Sequence, residues 1–195
     1  MPRVSKAEAE KNRAIIEQVS SRLFREQGFH GISVADLMGA AGLTHGGFYG
    51  HFESKDALAA IACARAFEES EARWRKRVGE APDRAAARSA LVDGYLSARN
   101  RNNAGAGCPV AALANDVARE PDDKPVRGAF HAGVEQLLDI LASVQPGDDA
   151  AANRQAALAQ MAMLAGALTL SRATQGTPLS NEILAAARAA LLPEG

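Results

Sequence analysis

The side chains best suited to gripping an anionic partner are concentrated between positions 44 and 55. The run is Thr44-His45-Gly46-Gly47-Phe48-Tyr49-Gly50-His51-Phe52, with Lys55 three residues on. Phe48 and Phe52 stand four residues apart, so on a helix they share one face. That leaves Thr44, His45, Gly46, Tyr49 and His51 on or near the opposite face. Tyr49 and His51 can donate hydrogen bonds to phosphates, and Lys55 adds a cation beside the first amides of the next helix. Three glycines lower helix propensity by about 1 kcal/mol each relative to alanine. Their benefit would be a close approach of backbone, at Gly46 and Gly47, to a surface that larger side chains would keep away. The chemistry expected is recognition, not bond-making. No nucleophile elbow, phosphate-binding glycine loop after a strand, paired-histidine metal spacing or Ser/His/Asp set is present, and no metal or cofactor is expected.

A second set of residues could receive a small molecule. Phe67, Trp74, Tyr95, Leu113, Phe130 and Met163 are large and apolar, and Arg99 offers a polar group among them. Leu96, Leu137, Asn115 and His131 extend the set. Such a mixture lines ligand pockets, and the same side chains build any helical core. Cys108 follows a glycine-rich loop and precedes Pro109, at an expected helix start. There a helix dipole would favour a thiolate able to sense oxidants or electrophiles. The other reading is a small buried cap residue. Cys63 lies mid-helix in an ordinary core setting.

These residues need helices to hold them. Apolar Ile15, Ile16, Val19, Leu23 and Phe24 recur at helical spacing between about 7 and 27, with Gly28 placed as C-cap. Ser33 with Asp36 opens a short helix from Val34 to about Ala40, with Leu37 inward. Gly42 suits the left-handed turn that follows, and Thr44 can cap the next short helix. Ser54 and Asp56 start a long helix to about Val78, and another is expected from about Asp83 to Arg101. The segment 102–107 breaks the chain before a helix from Cys108-Pro109 to about Arg119. Further helices are expected over about 126–144, 150–175 and 179–192. β-Branched residues are too scarce for a large sheet, so the fold expected is all-α.

Two short helices joined by a glycine-containing turn have helix-turn-helix geometry, with the second helix in the major groove. The sequence here resembles the TetR family of bacterial repressors. The resemblance rests on Leu23-Phe24-Arg25-Glu26-Gln27-Gly28-Phe29, Ser33-Val34-Ala35-Asp36-Leu37, Ala41-Gly42-Leu43, Phe48-Tyr49-Gly50-His51-Phe52 and Lys55-Asp56-Ala57-Leu58. Gly107-Cys108-Pro109-Val110-Ala111-Ala112-Leu113 is similar to a subgroup with Gly-Cys opening this helix. One departure is Gly50, where many members carry a larger residue; with His45-Gly46-Gly47 it leaves few long side chains for base contacts, so DNA backbone and shape would carry more of the readout. The resemblance implies an N-terminal DNA-binding domain, residues 1–53, and a helical ligand-binding and dimerisation domain, residues 54–195. It further implies a homodimeric repressor on palindromic double-stranded operator DNA, released by a small-molecule effector. Ser33, Thr44, His45, Gly46, Gly47, Tyr49, His51 and Lys55 are the DNA-contact candidates; Phe67, Trp74, Tyr95, Arg99, Cys108, Leu113, Phe130 and Met163 are the ligand-site candidates. Arg3 and Lys6 could add a backbone-following arm.

Charge and composition are compatible with this. The first 101 residues hold 16 Lys and Arg against 13 Asp and Glu, the rest 6 against 10, which biases the positive charge weakly toward the N-terminal part. Hydrophobic content of 47% with 23% charge is that of a folded chain, not a disordered one. No uninterrupted apolar run reaches the roughly 18 residues of a membrane span, and two distant cysteines form no disulfide framework; both point to the cytoplasm. Apolar stripes Leu158, Met161, Leu164, Ala165, Leu168 and Ile183, Leu184, Ala187, Leu191 suit a four-helix dimer interface through the last two helices, or burial within the chain. Two readings compete with a ligand-released repressor: a repressor that senses through the Cys108 thiol, and a helical protein-binding adaptor.

Overall fold

The computed structural model describes residues 5–193. Among these the chain is helical, with no strand. Helix α1 (Lys6–Gln27) is capped by Ser5 and stopped by Gly28, whose φ of 75° only glycine adopts readily. α2 (Val34–Ala40) opens on a capping box: the Ser33 hydroxyl accepts from the Asp36 amide at 3.1 Å while the Asp36 carboxylate accepts from the Ser33 amide. Gly42, at φ 73°, turns the chain into a 3-10 helix, His45–Gly50. The expected recognition helix is therefore a single tight 3-10 segment, and Thr44, at its N-cap position, makes no capping hydrogen bond. Three glycines in six residues leave too little helical preference to hold the α form.

α3 (Lys55–Glu80), capped by Ser54, is the central element and packs against α1, α4 and α7. The single helix expected over 83–101 is two. α4 (Arg84–Tyr95) ends at Leu96, and α5 (Ala98–Asn102) starts anew with Ser97 accepting from the Asn100 amide. A second 3-10 turn, Ala104–Ala106, leads to α6 (Pro109–Arg119). α7 (Pro125–Ser143), α8 (Ala150–Ala173) and α9 (Pro178–Leu191) complete the chain.

One apolar core runs from Ile16 and Phe48 through Phe67, Tyr95 and Leu113 to Leu164 and Leu191. The stripes expected to meet a partner are largely used inside it: Met161, Leu164, Leu168, Leu184, Ala187 and Leu191 are buried within the chain. The outer face of α8 carries Leu158, Ala162, Met163, Gly166 and Leu170 to solvent without a charge among them. By length and composition α8 also reaches the threshold for a membrane crossing, although no uninterrupted apolar run suggested it. It packs against α6, α7 and α9.

Candidate nucleic-acid interface and effector cavity

The 3-10 segment 45–50 is nailed down by its aromatics and open everywhere else. Phe48 is fully buried and meets Phe52 at 5.7 Å between ring centroids. Arg13 of α1 closes the far end, with its guanidinium 4.4 Å from the Phe52 ring centroid and donating to the His51 carbonyl. Arg13 did not stand out in the sequence; its role depends on α1 passing beside residue 52. Thr44, His45 and Gly46 are exposed, Gly47 and His51 half-buried, and Tyr49 is 70% exposed. Its ring stands edge-on to Phe48, which fixes its direction outward.

A Cβ added at Gly46 or Gly50 would meet no atom within 4 Å, and neither residue has a positive φ. Nothing among the described residues requires glycine there, and the surface is left bare. Ser33 is exposed, yet its hydroxyl is engaged by Asp36, whose carboxyl it and the Ser33 amide hold below the usual range. Lys55 is half-buried and donates to the Ile32 carbonyl at 2.5 Å, so it ties α3 to the loop before α2. Of the two residues proposed for an N-terminal arm, Arg3 lies outside the described residues and Lys6 faces Glu10 at 3.9 Å.

A cavity of about 270 Å³ opens between α3, α4, α5 and the start of α6. Four of the sequence candidates meet there: Trp74, Tyr95, Arg99 and Cys108. The other four lie elsewhere. Phe67 and Phe130 pack edge to face at 5.4 Å between α3 and α7, Leu113 is core, and Met163 is 41% exposed on α8. Arg73 and Arg77, which the sequence reading passed over, complete the wall with Ser70 on the same face of α3. Their spacing of three, four and seven residues around buried Trp74 was the available signal.

Arg73 donates to Ser70 Oγ at 2.8 Å, and burial, then the charge of nearby Arg25, pulls its pKa down. The Arg77 guanidinium lies on Gly94, where a Cβ would come within 2.6 Å of its Cζ. The Tyr95 hydroxyl is buried without a well-formed hydrogen bond, although the Cys108 thiol interacts with it. Burial pushes the Cys108 thiol up, outweighing Tyr95, the Val110 and Ala111 amides and Arg172, which favour the thiolate. Desolvation outweighs the helix dipole here, in the direction of the buried-cap reading of Cys108 and not of the thiolate one. Cys63 is pushed up to about 12 by burial.

α6 connects the two regions. Its first residues stand behind the cavity at Cys108, and Arg25 of α1 donates to the Gly107 carbonyl at 3.1 Å while pairing with Glu69 at 2.9 Å. Its far end carries Glu120, which meets His30 Nε2 at 2.7 Å. Asp116 lies so close to Gly28 that a Cβ there would come within 2.6 Å of its carboxylate. Lys124, just beyond, pairs with Asp56 of α3. His30 sits at this junction with its side chain largely exposed.

Residues 16–61 match the family model described as bacterial regulatory proteins, tetR family. The HTH-type transcriptional regulator AcrR of Shigella flexneri is 41% identical over 58 residues, which is 30% of this chain and 27% of that regulator's length. Over the whole chain the fold is similar to the reduced form of E. coli NemR, with a TM-score of 0.78 at 19% identity, covering 93% of this chain and 95% of that one. It is also similar to the transcriptional regulator FadR from Bacillus subtilis in complex with stearoyl-CoA, with a TM-score of 0.69 at 14% identity, covering 92% and 97%.

Proposed function

The chain is a TetR-family protein by its N-terminal domain, and on that premise we propose that it is a transcriptional repressor released from its operator by a small-molecule effector. The observation that carries the reading is the open face of residues 45–50, where Gly46 and Gly50 leave backbone bare beside outward-pointing Tyr49. A duplex can approach such a surface to backbone distance, with Thr44, His45, Tyr49 and His51 supplying hydrogen bonds. Ser33, at the start of α2, and Lys55, at the start of α3, flank it as phosphate contacts, with the first amides of each helix beside them. With few long side chains, much of the specificity would come from groove shape.

A palindromic operator requires two copies with reading segments about 34–36 Å apart. The uncharged outer face of α8, with Leu158, Met163 and Leu170 exposed, supports a homodimer through the last two helices. It also accounts for an apolar helix that is only 39% buried within the chain over its most apolar window. A DNA-binding role places the protein in the cytoplasm.

Release follows from α6. A ligand filling the cavity displaces the wall at Ala106 and Cys108, and the far end of the same helix lies against Gly28 at Asp116 and meets His30 at Glu120. A shift of α6 changes the orientation of the N-terminal domain and hence the spacing of the two reading segments. The effector then selects the dimer state that does not fit the operator. The thiol-sensing alternative uses the same wall, but a buried, protonated Cys108 favours the ligand reading. Cys108→Ser separates them, since only a thiol sensor loses its response to an electrophile.

The test is fluorescence anisotropy on DNA flanking the chain's own coding sequence, with wild type, Tyr49→Ala and Lys55→Ala. Specific, strongly salt-dependent binding that both variants weaken supports the reading. Salt-insensitive failure to bind any duplex would leave the protein-binding adaptor instead.

A further inference from the structure

The cavity has an unusual electrostatic composition. Arg73, Arg77 and Arg99 all line it, and its lining contains no aspartate or glutamate. Arg73 bonds only a neutral hydroxyl, on Ser70. Arg77 and Arg99 have no ion-pair partner among the described residues, with Arg99 exposed at the rim and Arg77 half-buried. Behind the wall Arg172 acts on Tyr95 and Cys108, and its own hydrogen bonds go to the carbonyls of Asn100 and Arg101. The guanidinium groups around the concavity repel one another, Arg25 and Arg77 acting on Arg73 against the partial compensation from Glu69, which lies outside the lining. An anion would turn that repulsion into attraction, and guanidinium is suited to grip a carboxylate with two hydrogen bonds.

The second observation is Tyr95. Its side chain is 1% exposed, it lines the cavity, and its hydroxyl lacks a well-formed partner. A buried hydroxyl in that condition costs stability unless something accepts its proton. The adjoining Trp74 is also buried and stands edge to face with Tyr95 at 6.0 Å, so one wall is aromatic while the others are cationic. About 270 Å³ lies just below the roughly 300–1,000 Å³ usual for small-molecule sites, which favours a compact occupant.

Resting on the effector reading above, we infer that the cavity binds a compact organic carboxylate, its anionic end held by Arg73, Arg77 and Arg99 and its apolar body against Trp74 and Tyr95. The Tyr95 hydroxyl donates to the ligand and so gains an oxygen acceptor in place of its weak contact with the Cys108 thiol. Cationic ligands are excluded by the same charge.

Trp74 is the only tryptophan in the chain, so its fluorescence reports on the cavity directly. The full-length protein is titrated with benzoate, neutral benzamide, cationic benzamidine and inorganic phosphate. Benzoate is expected to change the Trp74 signal with an affinity at least about tenfold above the other three, the size of one charge-assisted hydrogen bond. Arg77→Gln and Tyr95→Phe should each weaken benzoate about tenfold while leaving helical content and melting temperature intact. For Tyr95→Phe the melting temperature should hold or rise, because the substitution removes a buried hydroxyl held only by a weak thiol contact; a structural tyrosine would lower it. Equal binding of benzamide or benzamidine overturns the charge assignment, and equal binding of phosphate overturns the organic one. Silence from all four probes overturns the site. DNA binding measured on the same samples keeps the two readings apart. Benzoate binding that leaves DNA affinity unchanged retains the anion site and refutes its regulatory role, whereas lost DNA binding in wild type refutes the repressor reading alone.

Discussion

The reading segment and the cavity solve opposite problems with the same helical framework. Residues 45–50 hold two glycines that nothing inside the chain requires, and they present Tyr49 outward on a buried Phe48. On the reading proposed above, their function lies outside the fold and needs a second molecule. The cavity instead gathers charge inward: arginines from α3 and α5 stand around a buried hydroxyl and a buried thiol whose main contact is with each other. An exposed surface can carry bare backbone at little cost, whereas an internal polar wall is stable only if something eventually fills it. α6 runs between them, from the cavity wall at Cys108 to the loop after α1, where Asp116 and Glu120 meet Gly28 and His30.

The contrast breaks most completely if the dimer fails. Leu170→Glu on the outer face of α8 is expected to yield monomers in sedimentation and lower operator affinity about a hundredfold or more, the usual loss when paired sites act singly. Monomers that still bind the full palindrome as tightly would mean the partner meets another face. Tyr49→Ala should cost operator affinity about tenfold or more with no change in melting temperature, because a side chain 70% exposed contributes little to the fold. A parallel fall in stability would return Tyr49 to a structural role.

The buried thiols sharpen the cavity side. Folding raises the pKa of Cys63 to about 12 and that of Cys108 as well, so the folded state holds their protons more tightly than the unfolded chain does. That stabilisation is complete below the ordinary thiol range and is lost as pH climbs from there toward the folded values. The melting temperature should therefore decline above about pH 9, less so in Cys63→Ala. Both thiols should react slowly with a disulfide reagent in the native protein at neutral pH; rapid labelling of Cys108 would revive the thiol sensor.

Much of this was legible in the chain. Gly28, the Ser33–Asp36 box, Ser54 and the prolines at 109, 125 and 178 mark helix ends through local chemistry, and the helices begin or end there. The outward side of the 44–51 segment was recognisable because Phe48 and Phe52 define the inward one. What stayed hidden depended on distance in sequence. The break at Leu96–Ser97 has no glycine or proline to announce it, and α5 matters because it swings Arg99 toward the cavity. Phe67, Leu113, Phe130 and Met163 are the same kinds of residue as Trp74 and Tyr95; only the packing of α3 against α7, or exposure on α8, sets them apart. Arg73 and Arg77 read as a solvated helix face until α4 and α5 close over them.

The most direct test of the comparison is one variant measured twice. Gly46→Ala combined with Gly50→Ala adds two methyl groups where the protein has open space. Chemical denaturation should show a gain of about 0.5–1 kcal/mol per site, from the lower conformational entropy of alanine in the unfolded chain. Anisotropy on the operator fragment should show weaker binding by the same sample. Opposite signs in the two measurements establish that these glycines serve the partner. A loss of stability, or operator binding unchanged, would contradict the claim that residues 45–50 meet DNA through bare backbone.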